Sequence, residues 1–238
     1  MDNQTITRIN NTNLKKVYKA KKFRYFTGNQ PNMLIIRSAN RNAGKFDDLE
    51  IQWQYDGTLS CISIFACTAD PSDISLESPV NTLGCAILPF GQQMNVWKVG
   101  IHRYGHPTAH EALVQCNPII VIRSIIKDGT LNWETELRHD TIRKYRGGDN
   151  SYISDYIFEG RLVLRLNTGM FGVDNHRASA YNILDEVGLY SQGCVVINEP
   201  NRFKEVFMKK ILDYNDGVDI RYDCTIISED EFNKIYNG

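Results

Sequence analysis

The chain has 238 residues, of which 42% are hydrophobic and 23% are charged, and both fractions are ordinary for a globular protein. These values exclude disorder over the whole length, and the length allows one large domain or two small ones. Basic and acidic residues number 27 and 28, so no overall field indicates nucleic acid or an anionic membrane as a partner. The six cysteines include no C-x-x-C pair, which argues against a zinc site and against a disulfide scaffold.

The first 44 residues are polar and Asn-rich, with a basic cluster between positions 15 and 24. They predict a solvated arm or a basic edge strand, followed by the first strand of the fold. Contact with an anionic polymer is the alternative. The N-terminus lacks the basic and apolar regions of a secretory signal, and runs such as 118–126 are too short to cross a bilayer. We therefore expect a chain made in the cytoplasm without a signal peptide and without a membrane span.

From position 49 the chain alternates apolar and polar residues, which indicates a half-buried strand over 49–55. Asp56-Gly57 is a hairpin-type turn, and a returning strand is predicted over 59–66. Short apolar runs bounded by Gly, Pro, Asn or Asp predict further strands of an antiparallel sheet at 85–88, 96–101, 112–116, 119–126 and 161–166.

The stretch 138–158 is polar and aromatic with Gly147-Gly148 at its centre, which predicts a long loop or flap. A helix is predicted over 201–214, where apolar residues share one face, with Pro200 near its start and Gly217 beyond its end. A strand over 218–224 and a short helix capped by Ser228 follow. The fold class is therefore mainly β (a β-rich α+β fold), a sandwich or barrel with one or two helices near the C-terminus.

The segment with catalytic potential runs from position 167 to 197. A strand-like stretch ends on His176, and Cys194 follows 18 positions later, directly after Gly193 and before an apolar run. A nearby imidazole can remove the proton of a thiol and so create a nucleophile, and a turn of this kind can aim N–H groups at an oxyanion. Alone, each residue is more often structural, the cysteine as a core residue and the histidine as a hydrogen-bonded side chain.

The ordered pair Phe171-Gly172-Val173-Asp174-Asn175-His176 and Ser191-Gln192-Gly193-Cys194 resembles the signature of the L,D-transpeptidase (YkuD-like) catalytic domain. The likeness is closest to a lysin-like branch of bacteriophages and integrated elements of Bacteroidetes, which segments 67–71, 84–88, 97–102 and 112–115 also resemble. It covers roughly residues 45 to 227 of a domain that we place at 45–238, with an inserted loop at about 127–160. It implies a YkuD-like sandwich or barrel.

The resemblance also implies the roles of four residues. Cys194 would attack the carbonyl of a peptidoglycan stem-peptide bond, and His176 would take the thiol proton and later protonate the leaving amine. Ser191, with the backbone at Gly193 and Cys194, would orient the histidine or hold the oxyanion. Neither a metal nor another cofactor is expected.

Substrate contacts are expected from Arg177, His102 and Gln192. Many members of the family carry Arg or Asn two positions after the cysteine, where this chain has Val196, and many have Gly after the histidine, where it has Arg177. The planar fork of Arg177 suits a carboxylate, although an exposed charge or structural ion pair is an equal alternative. His102, His106 and His110 are spaced by four, but Gly105 and Pro107 argue against a metal-binding helix.

The sequence thus predicts a peptidoglycan-cleaving cysteine peptidase of the phage-lysin type, made in the bacterial cytoplasm and acting on the cell wall. Water as acceptor gives hydrolysis, whereas a second stem-peptide amine gives a crosslinking L,D-transpeptidase. The alternative from another class is a non-catalytic virion or tail protein that keeps the fold and binds virion partners. In that case Val196 reflects erosion of the site.

Overall fold

The computed structural model describes residues 1, 3–40, 42–57, 61–127, 130–132, 138–148 and 151–237. Strands hold 39% and helices 23% of the chain, which confirms the mainly β prediction. The strands are β1 Gly28–Arg37, β2 Asp48–Tyr55, β3 Ile62–Thr68, β4 Ala86–Ile87, β5 Gly91–His102, β6 His110–Gln115, β7 Ile119–Arg123, β8 Ile125–Lys127, β9 Thr130–Asn132, β10 Thr141–Arg146, β11 Tyr152–Phe158, β12 Arg161–Gly169, β13 Asn175–Arg177, β14 Val195–Ile197 and β15 Tyr222–Ser228. The helices are α1 Asn3–Thr7, α2 Asn11–Lys21, α3 Asp73–Glu77, α4 Pro200–Arg202, α5 Lys209–Asn215 and α6 Glu229–Asn237, with a 3₁₀ turn at Gly188–Tyr190 and a π-helical segment at Phe203–Met208.

Eight of these strands close into a barrel in the order β1-β15-β5-β6-β13-β14-β3-β2. The pairs β1–β15 and β13–β14 are parallel, so the expectation of an antiparallel sheet is wrong at these two places. A parallel pair needs a crossover of a dozen or more residues, and the connection 178–194 between β13 and β14 is long enough. That connection carries the glycine and cysteine of the second motif.

The interior of the barrel is filled by alternating residues of its strands, among them Phe65, Trp97 and Val195. The helical stretch from α4 to α5 packs into the same core through Phe203 and Phe207. The helix predicted over 201–214 is therefore confirmed, and it begins with Pro200 as expected. The apolar face predicted from the sequence is the face that packs into the core.

The second sheet has the order β10-β11-β12-β7-β4, and it contradicts the loop predicted over 138–158. Strands β10 and β11 pair in antiparallel register, and the Gly147 N–H donates to the Ser151 carbonyl to close the hairpin. Polar residues in the middle of these strands hid the alternation. Buried Asp155 is paired with Arg165 of β12 and Arg143 of β10. Residues 128–129, 133–137 and 149–150 of the inserted loop predicted at about 127–160 lie outside the described residues.

The N-terminal segment is not a solvated arm or an edge strand before β1, because it forms α1 and α2. Leu14 and Val17 of α2 are buried in a second apolar cluster with Trp53 of β2 and Phe232 of α6. Tyr18 donates its hydroxyl to the Met33 carbonyl at 3.0 Å. The lysines of α2 lie on its other face. Because they make the segment polar in composition, the narrow apolar stripe of the helix was not recognised from the sequence.

Most of the remaining predicted elements are confirmed within a few residues. Strand β2 matches 49–55, and β3 matches the returning strand apart from residues 59 and 60, which lie outside the described part. The strand predicted from 218 begins only at Tyr222. The Glu231 N–H donates to Ser228 Oγ, which caps α6 as predicted. Among the described residues, the helices are too short or too polar to cross a lipid bilayer.

Candidate active site

The parallel pairing of β13 with β14 brings the two sequence motifs together. His176 lies opposite Val196, and Asn175 lies opposite Val195. Cys194 precedes β14 by one residue, so it lies diagonally across from His176 on the same face. Both residues line the same cavity.

His176 is held in one tautomer by its neighbour's backbone. Its Nδ1 lies 2.7 Å from the carbonyl oxygen of Arg177, and because a carbonyl only accepts, Nδ1 carries the proton. Nε2 is therefore the basic nitrogen, and it is buried with no hydrogen-bond partner among the residues that the structure describes. Burial, reinforced by the nearby His102, lowers the pKa of His176 to about 3. The ring is neutral at physiological pH.

The Cys194 thiol is lodged against the strand that carries the histidine. The Asp174 N–H donates to Sγ at 3.4 Å, and the thiol approaches the Gly172 carbonyl at 3.5 Å. Burial, with a further contribution from the Asp174 carboxylate, raises the pKa of Cys194 to about 12. The cavity is therefore lined by a protonated thiol and a neutral imidazole at neutral pH.

Ser191 and Gly193 build the turn that presents the thiol. Ser191 is buried, and its hydroxyl lies 2.9 Å from the Cys194 carbonyl and 3.0 Å from the Asp70 carbonyl. The same oxygen accepts from the Gly193 N–H at 3.2 Å, so this N–H is already engaged in the structure. Ser191 therefore stabilises the turn, and within the described residues its hydroxyl bonds to backbone groups rather than to the His176 ring.

Gly193 is required by a close backbone approach. Its φ is +132°, and a Cβ at this position would lie 2.2 Å from the Ala86 carbonyl oxygen of β4. Any side chain here would force apart the turn and the second sheet. The glycine thus allows the turn before Cys194 to lie directly against β4 of the second sheet.

His102 and Asp174 form a second pair on top of His176. The His102 ring stacks on the His176 ring with centroids 3.9 Å apart and an angle of 11° between their planes. His102 Nδ1 lies 2.8 Å from Asp174 Oδ2, and the Gln115 N–H donates to Asp174 Oδ1. His110 approaches both rings edge-on, at 5.4 and 6.0 Å between centroids.

The cavity that contains Cys194 has a volume of about 530 Å³. Its basic side chains are Arg103, Arg123, His102 and His176, and among the described residues no Asp or Glu lines it. A second cavity of about 610 Å³ is also lined by the two stacked histidines, and it shares five residues with the first, His102, Arg103, His176, Leu189 and Tyr190. The histidines therefore stand at the boundary between two contiguous spaces.

The structure gathers most of the residues that the sequence proposed. Gln192 and His102 line the cavity together with Cys194 and His176, and Ser191 and Gly193 form the turn before Cys194. Arg177 does not line this cavity, although its neighbour His176 does. Arg177 instead lines the second cavity and a third beside α5. Val196 is fully buried and cannot contact a substrate.

Two site residues received no role from the sequence. Asp174 is part of the first motif and lies two positions before His176, so strand alternation alone places both on one face. Arg103 follows β5 with a φ of 53°, and it lines both cavities. Nothing in its local pattern indicated that β5 and β13 meet at the site through β6.

Within the described part of the chain, no three His, Cys, Asp or Glu side chains are grouped as metal ligands. Comparisons with protein-family models, with curated proteins and with solved structures found no match to this chain.

The depressed pKa of His176 predicts a loss of stability in mild acid. The unfolded chain binds a proton at this residue near pH 6.5, whereas the folded protein does so only near pH 3, so stability falls as the pH falls through this window. Between pH 7 and pH 5 the wild type should lose about 2 kcal/mol more than His176→Gln in urea unfolding. His110, whose pKa burial lowers to about 4, acts in the same direction in both proteins.

Exposed His106 provides the matched control, and His106→Gln should lose as much stability as the wild type. Equal losses for the wild type and His176→Gln would show that the ring is not shielded from protons in the folded state.

Proposed function

We propose that Cys194 and His176 transfer acyl groups from peptidoglycan stem peptides, with water as the principal acceptor. The observation that carries the proposal is the tautomer of His176. Its Nδ1–H is committed to the Arg177 carbonyl, which leaves a lone pair at Nε2 in the cavity wall that also contains the thiol. A base held in this way by an orienting group is the arrangement that activates a nucleophile.

The chemistry follows from the neutral resting pair. His176 Nε2 takes the thiol proton as Cys194 Sγ attacks the peptide carbonyl, and the same proton passes to the leaving amine when the C–N bond breaks. The product is a thioester on Cys194, with His176 neutral again. Because burial disfavours both the thiolate and the imidazolium, the charged pair is short-lived.

Two features support a stem peptide as the substrate. The ordered motifs with His176 and Cys194 resemble those of the L,D-transpeptidases, and the chain also forms the β-rich barrel that this resemblance implies. Arg103 is exposed and lines a cavity whose described lining includes no carboxylate, so the site favours a substrate that carries a carboxylate. Stem peptides carry such groups. The enzyme would act on the wall as a phage-type lysin or a virion-associated peptidase.

Crosslinking is the second candidate. The cavity of about 610 Å³ that the stacked histidines also line offers space for an acceptor larger than water. An amine of a second stem peptide bound there would give an L,D-transpeptidase. Both reactions pass through the same thioester on Cys194.

Purified muropeptides provide the direct assay for the proposed function. Incubation with the wild type should produce new peptides detectable by mass spectrometry, and the mass change identifies water or amine as the acceptor. Cys194→Ala and His176→Ala should lower the rate by at least about 10³-fold. Cys61→Ala, which removes an exposed thiol away from the site, should remain fully active. Equal activity of Cys194→Ala and the wild type would refute the assignment.

The position of Arg103 predicts that it, rather than Arg177, holds the substrate carboxylate. A hydrogen bond to a charged group contributes about 1.5–3 kcal/mol, so Arg103→Gln should raise KM by about 10- to 100-fold for a stem peptide with a free carboxylate. The amidated peptide should show a much smaller change. Arg177→Gln is the matched control and should alter KM less than about twofold, since Arg177 lies outside the cavity. The reverse ranking would assign the contact to Arg177.

A further inference from the structure

We propose that His102, held by Asp174, is a second general base that activates the acceptor after the thioester has formed. The inference rests on the proposed function, because it concerns the second half of the same acyl transfer. It assigns to His102 a chemical role distinct from substrate contact, and to Asp174 a positioning role.

The hydrogen bonds of His102 determine which nitrogen is free. The Asp174 carboxylate accepts from Nδ1–H at 2.8 Å, so the unprotonated nitrogen is Nε2. The described residues provide no hydrogen-bond partner for Nε2, and the ring lines both cavities. An ionised carboxylate behind an imidazole fixes the tautomer and balances the positive charge that the ring gains on accepting a proton.

His176 lacks that support. Its orienting partner is the neutral carbonyl of Arg177, and no carboxylate accepts a hydrogen bond from its ring. It is also more deeply buried than His102, at 2% exposure of the residue against 14% of the His102 side chain. His176 is thus built to pass a proton from thiol to amine. His102 is built to hold a proton taken from an acceptor that enters from the second cavity.

In the second half-reaction the acceptor attacks the thioester on Cys194. A water molecule between His102 and the thioester gives a proton to Nε2 as its oxygen bonds to the acyl carbon. The C–S bond breaks, the acid is released, and the proton held by His102 returns to the thiolate of Cys194. An amine acceptor loses its proton to the same nitrogen. The stacking distance of 3.9 Å keeps both bases beside one acyl group.

The two half-reactions can be separated with p-nitrophenyl acetate, whose burst of nitrophenol reports thioester formation and whose steady state reports its hydrolysis. His102→Ala should slow the steady state by a factor at least about tenfold larger than the factor by which it slows the burst, with the acetylated protein accumulating in intact-mass spectra. Asp174→Asn should slow the same steady-state hydrolysis, but by a smaller factor than His102→Ala does. His106→Gln should match the wild type.

Rescue by hydroxylamine distinguishes a chemical role of His102 from a purely structural one. Hydroxylamine attacks thioesters with little need of a base, so it should restore turnover of His102→Ala but not of His176→Ala, in which the thioester does not form. A proportional loss of burst and steady state in His102→Ala, or no loss in either, would overturn the assignment of His102. Absence of any burst in the wild type would instead refute the proposed function itself.

Discussion

The arrangement of the site depends on the short parallel pairing of β13 with β14. Only three residue pairs form it, and the Val195 N–H closes it by donating to the Asp174 carbonyl at 3.0 Å. This register sets Cys194 diagonally opposite His176 and directs the Asp174 N–H at the thiol. A slip of one residue would turn His176 to the barrel interior, because side chains alternate between the two faces. The interval of 18 positions between histidine and cysteine is the length of the crossover that the parallel pair requires.

Buried polar contacts fasten this pairing to the barrel. Asn175 donates to Glu50 of β2 at 2.5 Å across the interior, and burial raises the pKa of Glu50 to about 8. The carboxyl group is therefore largely neutral at pH 7, which makes its burial far less costly than that of a charge. Beneath the cysteine turn, Arg37 forms an ion pair with Asp70 and donates to the Ala69 carbonyl. The Asp70 carbonyl in turn accepts from the Ser191 hydroxyl, so hydrogen bonds link the cysteine turn to the buried Arg37–Asp70 ion pair.

The features that depend on local sequence pattern could be predicted. The features that depend on contacts between residues far apart in the chain could not. Strand β2 and the helix after Pro200 followed from periodicity, and the Cys194–His176 pair followed from two short motifs. The N-terminal helices were missed because α2 carries as many lysines as buried residues, four of each, so its composition reads as polar. Strand β10 was missed because its residues are exposed. Arg103 was missed because only the neighbours of β5 in the barrel bring it to the cavity.

The central claim is that His176 presents an unprotonated Nε2 to the thiol, and nitrogen NMR of the histidine rings tests it most directly. In protein labelled with ¹⁵N, and with His176→Gln to assign the signal, the account predicts a neutral ring at pH 7 with the proton on Nδ1. The ring should not titrate between pH 5 and pH 8, because burial lowers its pKa to about 3. A proton on Nε2, or an imidazolium at pH 7, would contradict the account.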